Sequence, residues 1–509
     1  MRSLLVLVVG AVSATATADF NLPEFGEPAD ATLPLHQERE LGREVYQQIR
    51  AYNLILDDPE LGAYIQDLGN TLVEASPEAR GKPFTFFIIR DPSINAFALP
   101  GGYIGMHTGL IRAAQTEAEV AGVLAHEIAH VTQRHIARRM DSTSGWDLAS
   151  AALLLAAIAA GGGDPDVVQA ALGIGMSMSY QQRVNFTRAH ELEADRLGIG
   201  TLAAAGFDPV GMENFFRRMA AQARLYGDGI PELLRTHPYS TTRMAEARNR
   251  RSNLPTPPDR PAPLFELMRT RAALAEIDLA GEKLAQFPAD DDAALPQAYG
   301  AAMALRAKGE HAAALVMAQR ALSLADTDEQ RTVMRFELAR ALYANGKRDQ
   351  AMAQLREISR ANSLDHAATL QLARWELAGS QPAQARQRLL ESEAFAADEP
   401  EVFRLLARAA GDMNDPAEVQ YQMANWHLSR GNWLGAIHQL RRALAREEWD
   451  DYTDARLRGR LDNLLARAPQ RVRDELRRNP DGHEDPPGTG RIRFSRAGPA
   501  HLSPDATTD

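Results

Sequence analysis

The sequence predicts a mainly α fold in two parts: an α+β domain with a small β-sheet, followed by an α-solenoid of tetratricopeptide-like helix pairs. Three observations predict it. Apolar residues recur at helical spacing through most of the chain, one short segment is rich in β-branched and aromatic residues, and a phrase in the second half returns every 34 to 37 residues. With 509 residues, of which 45% are hydrophobic and 24% charged, the chain is long enough for two or three domains.

The N-terminus predicts a cleaved signal peptide at residues 1–18. Arg2 precedes an apolar run from Leu4 to Val12, and Ala16 and Ala18 have the spacing that signal peptidase accepts. An uncleaved membrane anchor is the alternative, but the run is shorter than the ~20 residues that span a bilayer. We therefore expect an exported, soluble mature chain.

Composition excludes several classes of site and partner. The chain has no cysteine, so disulfides, zinc-thiolate sites and a lipidated N-terminal cysteine are excluded. The net charge of -11 gives no reason to expect a nucleic-acid partner, because phosphate-binding domains usually present a basic face.

The following residues, 19–252, predict the α+β domain. Residues 36–78 predict two helices that are separated near Asp57–Pro59. Residues 84–111 predict short strands of a small sheet, interrupted by Pro100, Gly101 and Gly102. Two further helices are expected at Glu117–Met140 and Tyr180–Ala205.

Two apolar segments at 147–178, on either side of GGGDP, are each too short to span a membrane. They predict a buried helical hairpin, or a surface that contacts a membrane or an apolar client. The proline-rich residues 253–263 predict a linker, and residues 479–509 predict a disordered tail.

Between them, residues 264–478 predict the repeat domain. Its returning phrase has a turn residue at Gly309, Gly346, Ser380 and Gly431, and five residues after each turn residue comes an alanine: Ala314, Ala351, Ala385 and Ala436. This spacing is typical of tetratricopeptide helix pairs, and the last interval would hold one degenerate unit. A helical bundle with alanine-rich seams is the alternative.

The segment HEIAH at 126–130 predicts a metal site. Residues four apart on a helix share a face, so the imidazoles of His126 and His130 can converge on one ion, while Glu127 lies one step round and could act on a water. This is the HExxH arrangement of zinc peptidases, with two histidine ligands and a glutamate general base.

A third ligand is expected because catalytic zinc usually has three protein ligands and a water. The helix RAHELEADRLG offers Glu191, with Asp195 one turn later on the same face to hold a ligand histidine from behind. Glu193 is a rival ligand that lies off this face. His135 and His190 are interpreted as ordinary surface or packing histidines.

HEIAH and ELEAD, with NAFALPGG upstream and THPYSTTRMAEAR downstream, resemble the gluzincin peptidases of the HtpX type. The predicted signal peptide and repeats make the chain most similar to the periplasmic, β-barrel assembly-enhancing branch of that family. No membrane-spanning helix of the integral-membrane branches is found.

The resemblance implies one Zn²⁺ per chain on His126, His130 and Glu191, with Glu127 as the catalytic base and Asp195 supporting the site. It also implies that His237 can approach the zinc and close the site, and that Arg243 lies nearby. A peptide substrate would pair with an edge strand whose predicted residues are Asn95, Phe97, Pro100, Gly101 and Gly102.

The function implied is that of a periplasmic zinc metalloendopeptidase, also chaperone-like, that acts in outer-membrane protein assembly and degrades misassembled clients. Its implied partners are unfolded or misassembled outer-membrane proteins and, through the repeats, the β-barrel assembly machinery. The alternatives are a repeat-scaffold chaperone or adaptor whose metal site is largely closed, and a protease in peripheral contact with a membrane.

Overall fold

The structure, a computed structural model, describes residues 33–141, 188–226, 232–238, 240–254, 260–275, 287, 292–358, 364–392, 399–446 and 449–479. The predicted signal peptide, the apolar hairpin and the tail beyond Asn479 lie outside the described residues. Within these ranges no helix has the length and apolar character needed to cross a membrane.

Two helices begin the described chain, as predicted: α1 at Leu35–Ala51 and α2 at Pro59–Ala75. The break between them has a local cause. The Asp58 side chain accepts the Leu61 N–H at 2.9 Å and so caps α2, and Pro59 occupies its first turn, where no N–H is needed.

A three-stranded sheet follows, which confirms the predicted short strands. It consists of β1 at Thr85–Ile89, β2 at Ala96–Leu99 and β3 at Tyr103–His107, in the order β1-β3-β2. β3 pairs in parallel with β1 and antiparallel with β2. β2 is therefore an edge strand, with one row of backbone groups directed away from the sheet.

Helices then pack around the sheet. They are α3 at Thr108–Ala113, α4 at Glu117–Thr132, α5 at His135–Asp141, α6 at Arg188–Ala204, α7 at Val210–Tyr226, α8 at Glu232–Thr236 and α9 at Thr241–Arg251. Most of them lie against one face of the sheet, and α5 lies in the cluster with α1 against the other. α4 is central: it contacts α2, α6, α7 and β2, and every residue from Glu119 to His130 is buried.

The single helix predicted at Glu117–Met140 is interrupted, which corrects that prediction. Arg134 adopts a left-handed conformation with φ of 52°, and the chain turns into α5 there. The buried Arg134 guanidinium donates to Glu38 at 2.8 Å and to the Leu33 carbonyl at 2.6 Å. These contacts to the N-terminal region stabilise a conformation that is otherwise unfavourable for arginine.

The second half consists of helices joined by short turns. They are α10 at Phe265–Ala275, α11 at Leu295–Ala307, α12 at His311–Ser323, α13 at Asp328–Ala344, α14 at Arg348–Arg356, α15 at Asp365–Ala378, α16 at Pro382–Leu390, α17 at Pro400–Asp412, α18 at Pro416–Ser429, α19 at Trp433–Arg446, α20 at Asp451–Arg467 and α21 at Gln470–Arg478. With the small sheet before them, they confirm the predicted mainly α fold.

The predicted turn residues lie between helices. Gly309, Gly346, Ser380 and Gly431 all have positive φ, between 59° and 80°. The alanines five residues after them are completely buried, so neighbouring helices approach closely at these points. The degenerate unit has Asn414 at its turn, also with φ of 59°, 34 residues after Ser380. Asparagine tolerates this conformation better than most residues, and the repeat therefore continues without glycine.

The two halves share one hydrophobic core, in which Leu61 and Ile65 of α2 and Phe336 of α13 take part. Ion pairs cross the same junction. We call the set Asp58, Glu60, Arg271 and Arg340 the junction cluster. Arg271 donates to Asp58 at 2.5 Å and to Glu60 at 2.9 Å, and Arg340 makes a two-pronged contact with Glu60.

The late repeats also return to α1. Arg50 lies 3.6 Å from Glu399, and a Cβ added to Gly431 would lie 2.0 Å from Gln47 Oε1. The repeats thus contact the N-terminal half at two separate places.

Candidate metal centre

α4 supplies the first three residues of the site. His126, Glu127 and His130 are all buried, with exposed fractions of 0%, 0% and 1%. The other buried positions of α4 are mostly small or aliphatic residues, so the three polar side chains lie within an apolar helix. Buried imidazoles and carboxylates require partners, and in this protein those partners lie on α6 and beyond.

α6 lies against α4 at very short range. A Cβ added to Gly198 would lie 3.1 Å from the His126 backbone nitrogen, so glycine is what permits the approach. One and two turns earlier on α6, Asp195 and Glu191 extend toward the same histidines. Glu191 and Asp195 therefore lie on the same face of α6, the face that is directed at α4.

Four side chains meet at the centre of the site: His126, His130, Glu191 and His237, which we call the histidine cluster. One nitrogen or oxygen from each lies within 4.8 Å of all the others. The Nε2 atoms of His126 and His130 are 3.0 Å apart, and Glu191 oxygens lie 3.6 Å and 3.5 Å from them. His237 Nδ1 is 3.2 Å from His126 Nε2 and 3.0 Å from Glu191 Oε1.

The outer nitrogens of both α4 histidines face other groups. His126 Nδ1 lies 3.1 Å from Asp195 Oδ1, and His130 Nδ1 lies 2.8 Å from His135 Nδ1. If each Nδ1 carries the proton, each neutral ring has its lone pair at Nε2, and the two lone pairs face each other. Such an arrangement is relieved by a cation, so the donor set fits a divalent metal, and two imidazoles with a carboxylate suit zinc.

The carboxylates and the burial of the site shift the pKa values of the histidines. Burial opposes ionisation of His126, but the Asp195 and Glu191 carboxylates outweigh it and raise the pKa of His126 to about 9. Burial lowers the pKa of His130 well below its ordinary value. Burial alone would raise the pKa of Glu191, yet His237, His126 and His130 hold it well below the usual range.

Arg243 lies behind both carboxylates. Its Nε and Nη2 donate to Asp195 at 2.6 Å and 2.7 Å, and its Nη1 lies 2.8 Å from Glu191 Oε2 and donates to the Pro238 carbonyl at 2.9 Å. Although burial of Asp195 acts in the opposite sense, these contacts lower its pKa. Arg243 therefore fixes the carboxylates and the chain next to His237 in one arrangement.

Glu127 is the least satisfied group of the site. Within the described residues neither carboxylate oxygen has a hydrogen bond of normal geometry, although the Ala98 backbone acts on the carboxylate, and His237 Nε2 lies 3.4 Å from Oε1. Burial raises the pKa of Glu127. A buried carboxylate without full hydrogen bonding lowers the stability of a fold. A carboxylate with a raised pKa is also better suited to accept a proton as a general base.

His237 is the residue directly after α8, and its side chain extends into the histidine cluster. The Leu233 N–H, within α8, donates to the Ile94 carbonyl at 3.1 Å, and the His237 N–H donates to the Leu233 carbonyl at 2.9 Å. Ile94 lies two residues before the first residue of β2. We call residues 232–237, which are α8 and His237, the His237 segment. It occupies a hydrogen-bonding position beside the start of β2 and also covers the histidine cluster.

Two of the five residues predicted for the substrate edge lie at β2. Phe97 is within the strand, but its ring packs against Phe87 and His107, 5.8 Å and 6.1 Å between centroids. Asn95 immediately precedes the strand, is completely buried, and neither atom of its amide makes a hydrogen bond within the described residues.

The other three predicted edge residues lie outside the strand, which corrects the predicted extent of the edge. Pro100, Gly101 and Gly102 form the turn between β2 and β3. Gly101 and Gly102 have φ of 76° and 95°, which ends a strand, and a Cβ on Gly42 of α1 would lie 1.7 Å from the Pro100 carbonyl oxygen. This turn is packed under α1.

Sequence reasoning missed His135. It is completely buried, and besides His130 it contacts Glu193, at 3.2 Å from its Nε2. Burial lowers the pKa of His135 to about 4, so its ring is neutral at neutral pH. On an unbroken helix a residue five positions after His130 points elsewhere, and only the turn at Arg134 brings it back. No pattern in the sequence signalled that turn.

Comparison with known proteins shows which proteins the chain is similar to. Residues 59–251 match Peptidase family M48. The chain is 41% identical over 282 residues to a putative β-barrel assembly-enhancing protease of Vibrio cholerae, a match that covers 54% of this chain and 58% of the relative.

It is 38% identical over 254 residues to the β-barrel assembly-enhancing protease of Escherichia coli K12, covering 49% and 51%. It is also 30% identical over 173 residues to the metalloprotease LoiP of Escherichia coli, covering 34% and 64%. The chain thus spans about half the length of the assembly-enhancing relatives that it matches.

Proposed function

We propose that this protein is a zinc-dependent endopeptidase that hydrolyses peptide bonds, since residues 59–251 match Peptidase family M48. The observation that carries the proposal is the histidine cluster with Glu127 beside it: two imidazoles and a carboxylate converge on one point, and a second, unsatisfied carboxylate lies next to them. His126, His130 and Glu191 would hold the ion.

The roles of the protein groups follow from their positions. Zinc bound there would supply Lewis acidity toward a water and toward the scissile carbonyl. Glu127 accepts the proton of the attacking water and later delivers it to the leaving amine, for which its raised pKa is suited. Asp195 orients His126 through Nδ1, and Arg243 keeps Asp195 ionised and in place.

A peptide substrate is proposed to pair with the free edge of β2. Main-chain pairing ignores side-chain identity, which suits a protease that acts on unfolded clients. The Leu233 N–H would have to leave the Ile94 carbonyl first, and His237 would leave the cluster with it. We infer that the described arrangement is a closed state and that movement of the His237 segment opens the site.

The biological setting is proposed from the relatives' names and the predicted N-terminus. A β-barrel assembly-enhancing protease that is 38% identical supports action on outer-membrane proteins and an interaction of the repeats with the assembly machinery. The predicted signal peptide supports a periplasmic location. Degradation of misassembled clients and chaperone-like activity complete this proposal.

The closed site favours a second candidate, a repeat-scaffold chaperone or adaptor. His237 lies among the ligands, with one ring nitrogen 3.0 Å from Glu191 and the other 3.4 Å from Glu127, and so occupies the place where a substrate would react. Helix-pair arrays bind extended partners on their surfaces without chemistry. Rescue of a deletion strain by the Glu127→Gln variant separates the two: full rescue of outer-membrane protein assembly favours the scaffold, and no rescue favours the protease.

Peripheral membrane contact is a separate proposal that depends on the apolar segments at 147–178, for which the sequence predicts a hairpin. Flotation of the purified protein with liposomes tests it. A protein that remains at the bottom of the gradient contradicts membrane contact and leaves the peptidase proposal intact.

The first test of the proposed function is elemental analysis of the purified wild type and of Glu191→Gln. We expect about one zinc per wild-type chain and much less in the variant, because a neutral amide is a poor zinc ligand. Glu246→Gln, which alters an exposed carboxylate on α9, is the matched control and should retain its zinc. A wild type that binds no zinc after zinc addition contradicts the proposal.

A further inference from the structure

We infer that His135 and Glu193 are positioning residues of the metal centre: together they fix the tautomer of His130 and direct its Nε2 lone pair toward the ion. The inference rests on the zinc site proposed above. It concerns the groups behind His130, where the sequence predicted a surface or packing histidine at 135 and a rival ligand at 193.

The contacts form a continuous line from His130 to the surface. His130 Nδ1 lies 2.8 Å from His135 Nδ1, His135 Nε2 lies 3.2 Å from Glu193 Oε2, and Arg138 Nη1 donates to the same oxygen at 2.9 Å. His135 is completely buried, whereas the Glu193 side chain is 27% exposed. The line therefore begins at a surface ion pair and ends at a proposed ligand.

The proton count assigns the tautomers. An ionised carboxylate can only accept, so Glu193 requires the proton of His135 to lie on Nε2. The neutral His135 ring then has its lone pair on Nδ1 and accepts from His130 Nδ1–H. This leaves the lone pair of His130 on Nε2, the atom that faces His126 Nε2 at 3.0 Å.

The His135 ring has little freedom to turn away. His190 stacks on it at 4.4 Å between centroids and 16° between planes. Its backbone begins α5 directly after Arg134, whose left-handed conformation is held by Glu38 and the Leu33 carbonyl. Partners behind a ligand histidine ordinarily fix its orientation and raise metal affinity.

The two ligand histidines are thus supported differently. His126 has a carboxylate directly behind it, Asp195, whereas His130 has a neutral ring that conveys the effect of a carboxylate one residue further out. Because Glu193 acts only through His135, loss of Glu193 should have a smaller effect than loss of the ring.

The experiment compares two substitutions of His135. His135→Asn keeps an acceptor oxygen close to the position of Nδ1, whereas His135→Leu removes it and keeps the bulk. We expect Zn²⁺ affinity, measured by chelator competition, to fall about tenfold to a hundredfold in His135→Leu and to remain near the wild-type value in His135→Asn. Glu193→Leu should show a smaller loss, with Glu246→Leu as its control.

Two further measurements separate positioning from packing. Melting temperatures of the metal-free proteins report packing alone, and the visible spectrum of bound Co²⁺ reports the ligand geometry. We expect the spectrum to change in His135→Leu and to be preserved in His135→Asn. If His135→Leu does not fold, Glu193→Leu, which alters a partly exposed residue, decides by the same two readouts.

Equal zinc affinity in wild type, His135→Leu and Glu193→Leu would overturn the inference and leave the zinc site standing. Equal losses in His135→Asn and His135→Leu would also overturn it, because only packing would then explain them. A wild type without zinc affinity would contradict the proposed function itself, so the two failures are distinguishable.

Discussion

The junction cluster and the histidine cluster both bury charge, and they differ in how completely that charge is neutralised. Each oxygen of Glu60 receives guanidinium N–H groups, and Arg271 also donates to Asp58 and to the Tyr299 hydroxyl. In the histidine cluster, two imidazole nitrogens face each other at 3.0 Å, and the carboxylate oxygens of Glu127, beside the cluster, have no hydrogen bond of normal geometry within the described residues.

The difference indicates what each cluster is for. Groups that are fully paired contribute to one stable arrangement, whereas buried groups that are left incomplete are retained where a ligand or a reaction completes them. Removal of a group from the histidine cluster should therefore affect activity and metal binding, and removal of a group from the junction cluster should affect stability.

The largest expected effect is on catalysis. Glu127→Gln removes the proposed base and keeps the shape of the side chain, so we expect kcat on an unstructured peptide to fall on the order of 10²–10⁴-fold with zinc still bound. Steady-state cleavage and metal content of the same preparation measure both quantities. Wild-type turnover in this variant would show that Glu127 is not the base, and Glu246→Gln should retain full activity.

The next effect is on the junction cluster. Glu60→Leu leaves Arg271 and Arg340 without their shared carboxylate, and we expect the free energy of unfolding to fall by about 3–5 kcal/mol. Denaturant titration measures it. Zinc affinity below the unfolding transition should not change, and a parallel loss of zinc would contradict the distinction between the clusters. Glu60→Leu combined with Arg340→Met should recover part of the loss.

Acid should weaken the junction cluster in a defined range of pH. Burial acts to raise the pKa of Glu60, but Arg271 and Arg340 outweigh it and lower that pKa from 4.5 to about 2. A lowered folded-state pKa stabilises the fold above the unfolded-state value, and the stabilisation is lost as pH falls from 4.5 through 2.

The contribution of Glu60 is on the order of 3 kcal/mol at neutral pH. Unfolding free energies of wild type and Glu60→Gln, measured over a series of pH values, isolate it. The difference between the two proteins should narrow as pH falls below 4.5. A difference that stays constant in this range would contradict the assigned ionisation of Glu60.

The smallest expected effect is the loss of an exposed ion pair, which serves as a reference for the buried ones. Glu246 pairs with Arg250 at 3.6 Å on the surface of α9, where both side chains are about 40% exposed. Because exposed pairs contribute about 0.3–0.5 kcal/mol, Glu246→Gln should change the free energy of unfolding by no more than that. A loss comparable to that of Glu60→Leu would show that burial does not explain the strength of the junction cluster.

The sequence predicted what depends on local periodicity. His126 and His130 are four residues apart on one helix, and Glu191 and Asp195 are four apart on another, so the shared faces could be identified without a structure. Gly309, Gly346 and Ser380 were predicted as turns for the same reason, and their positive φ values explain the choice of residues. Asn414 escaped notice because its side chain does not identify a turn by itself.

What depends on distant contacts could not be predicted in this way. Arg340 and Glu60 are 280 positions apart, and nothing in either segment identifies the partner. The position of His237 was expected only from the family resemblance. The contact of His135 with His130 could not be predicted because the turn at Arg134 depends on Glu38, near the start of the described chain.

The contacts between α1 and the late repeats have a consequence for the order of folding. α1 covers the outer face of the sheet through Val45 and Ile49, and it is itself approached by Glu399 and Gly431. A chain that emerges N-terminus first exposes this helix long before those repeats exist. Contacts between such distant segments slow the final steps of folding. The first of the described helices therefore gains its contacts with Glu399 and Gly431 only after the late repeats are made, and a chain truncated before them would lack these two contacts.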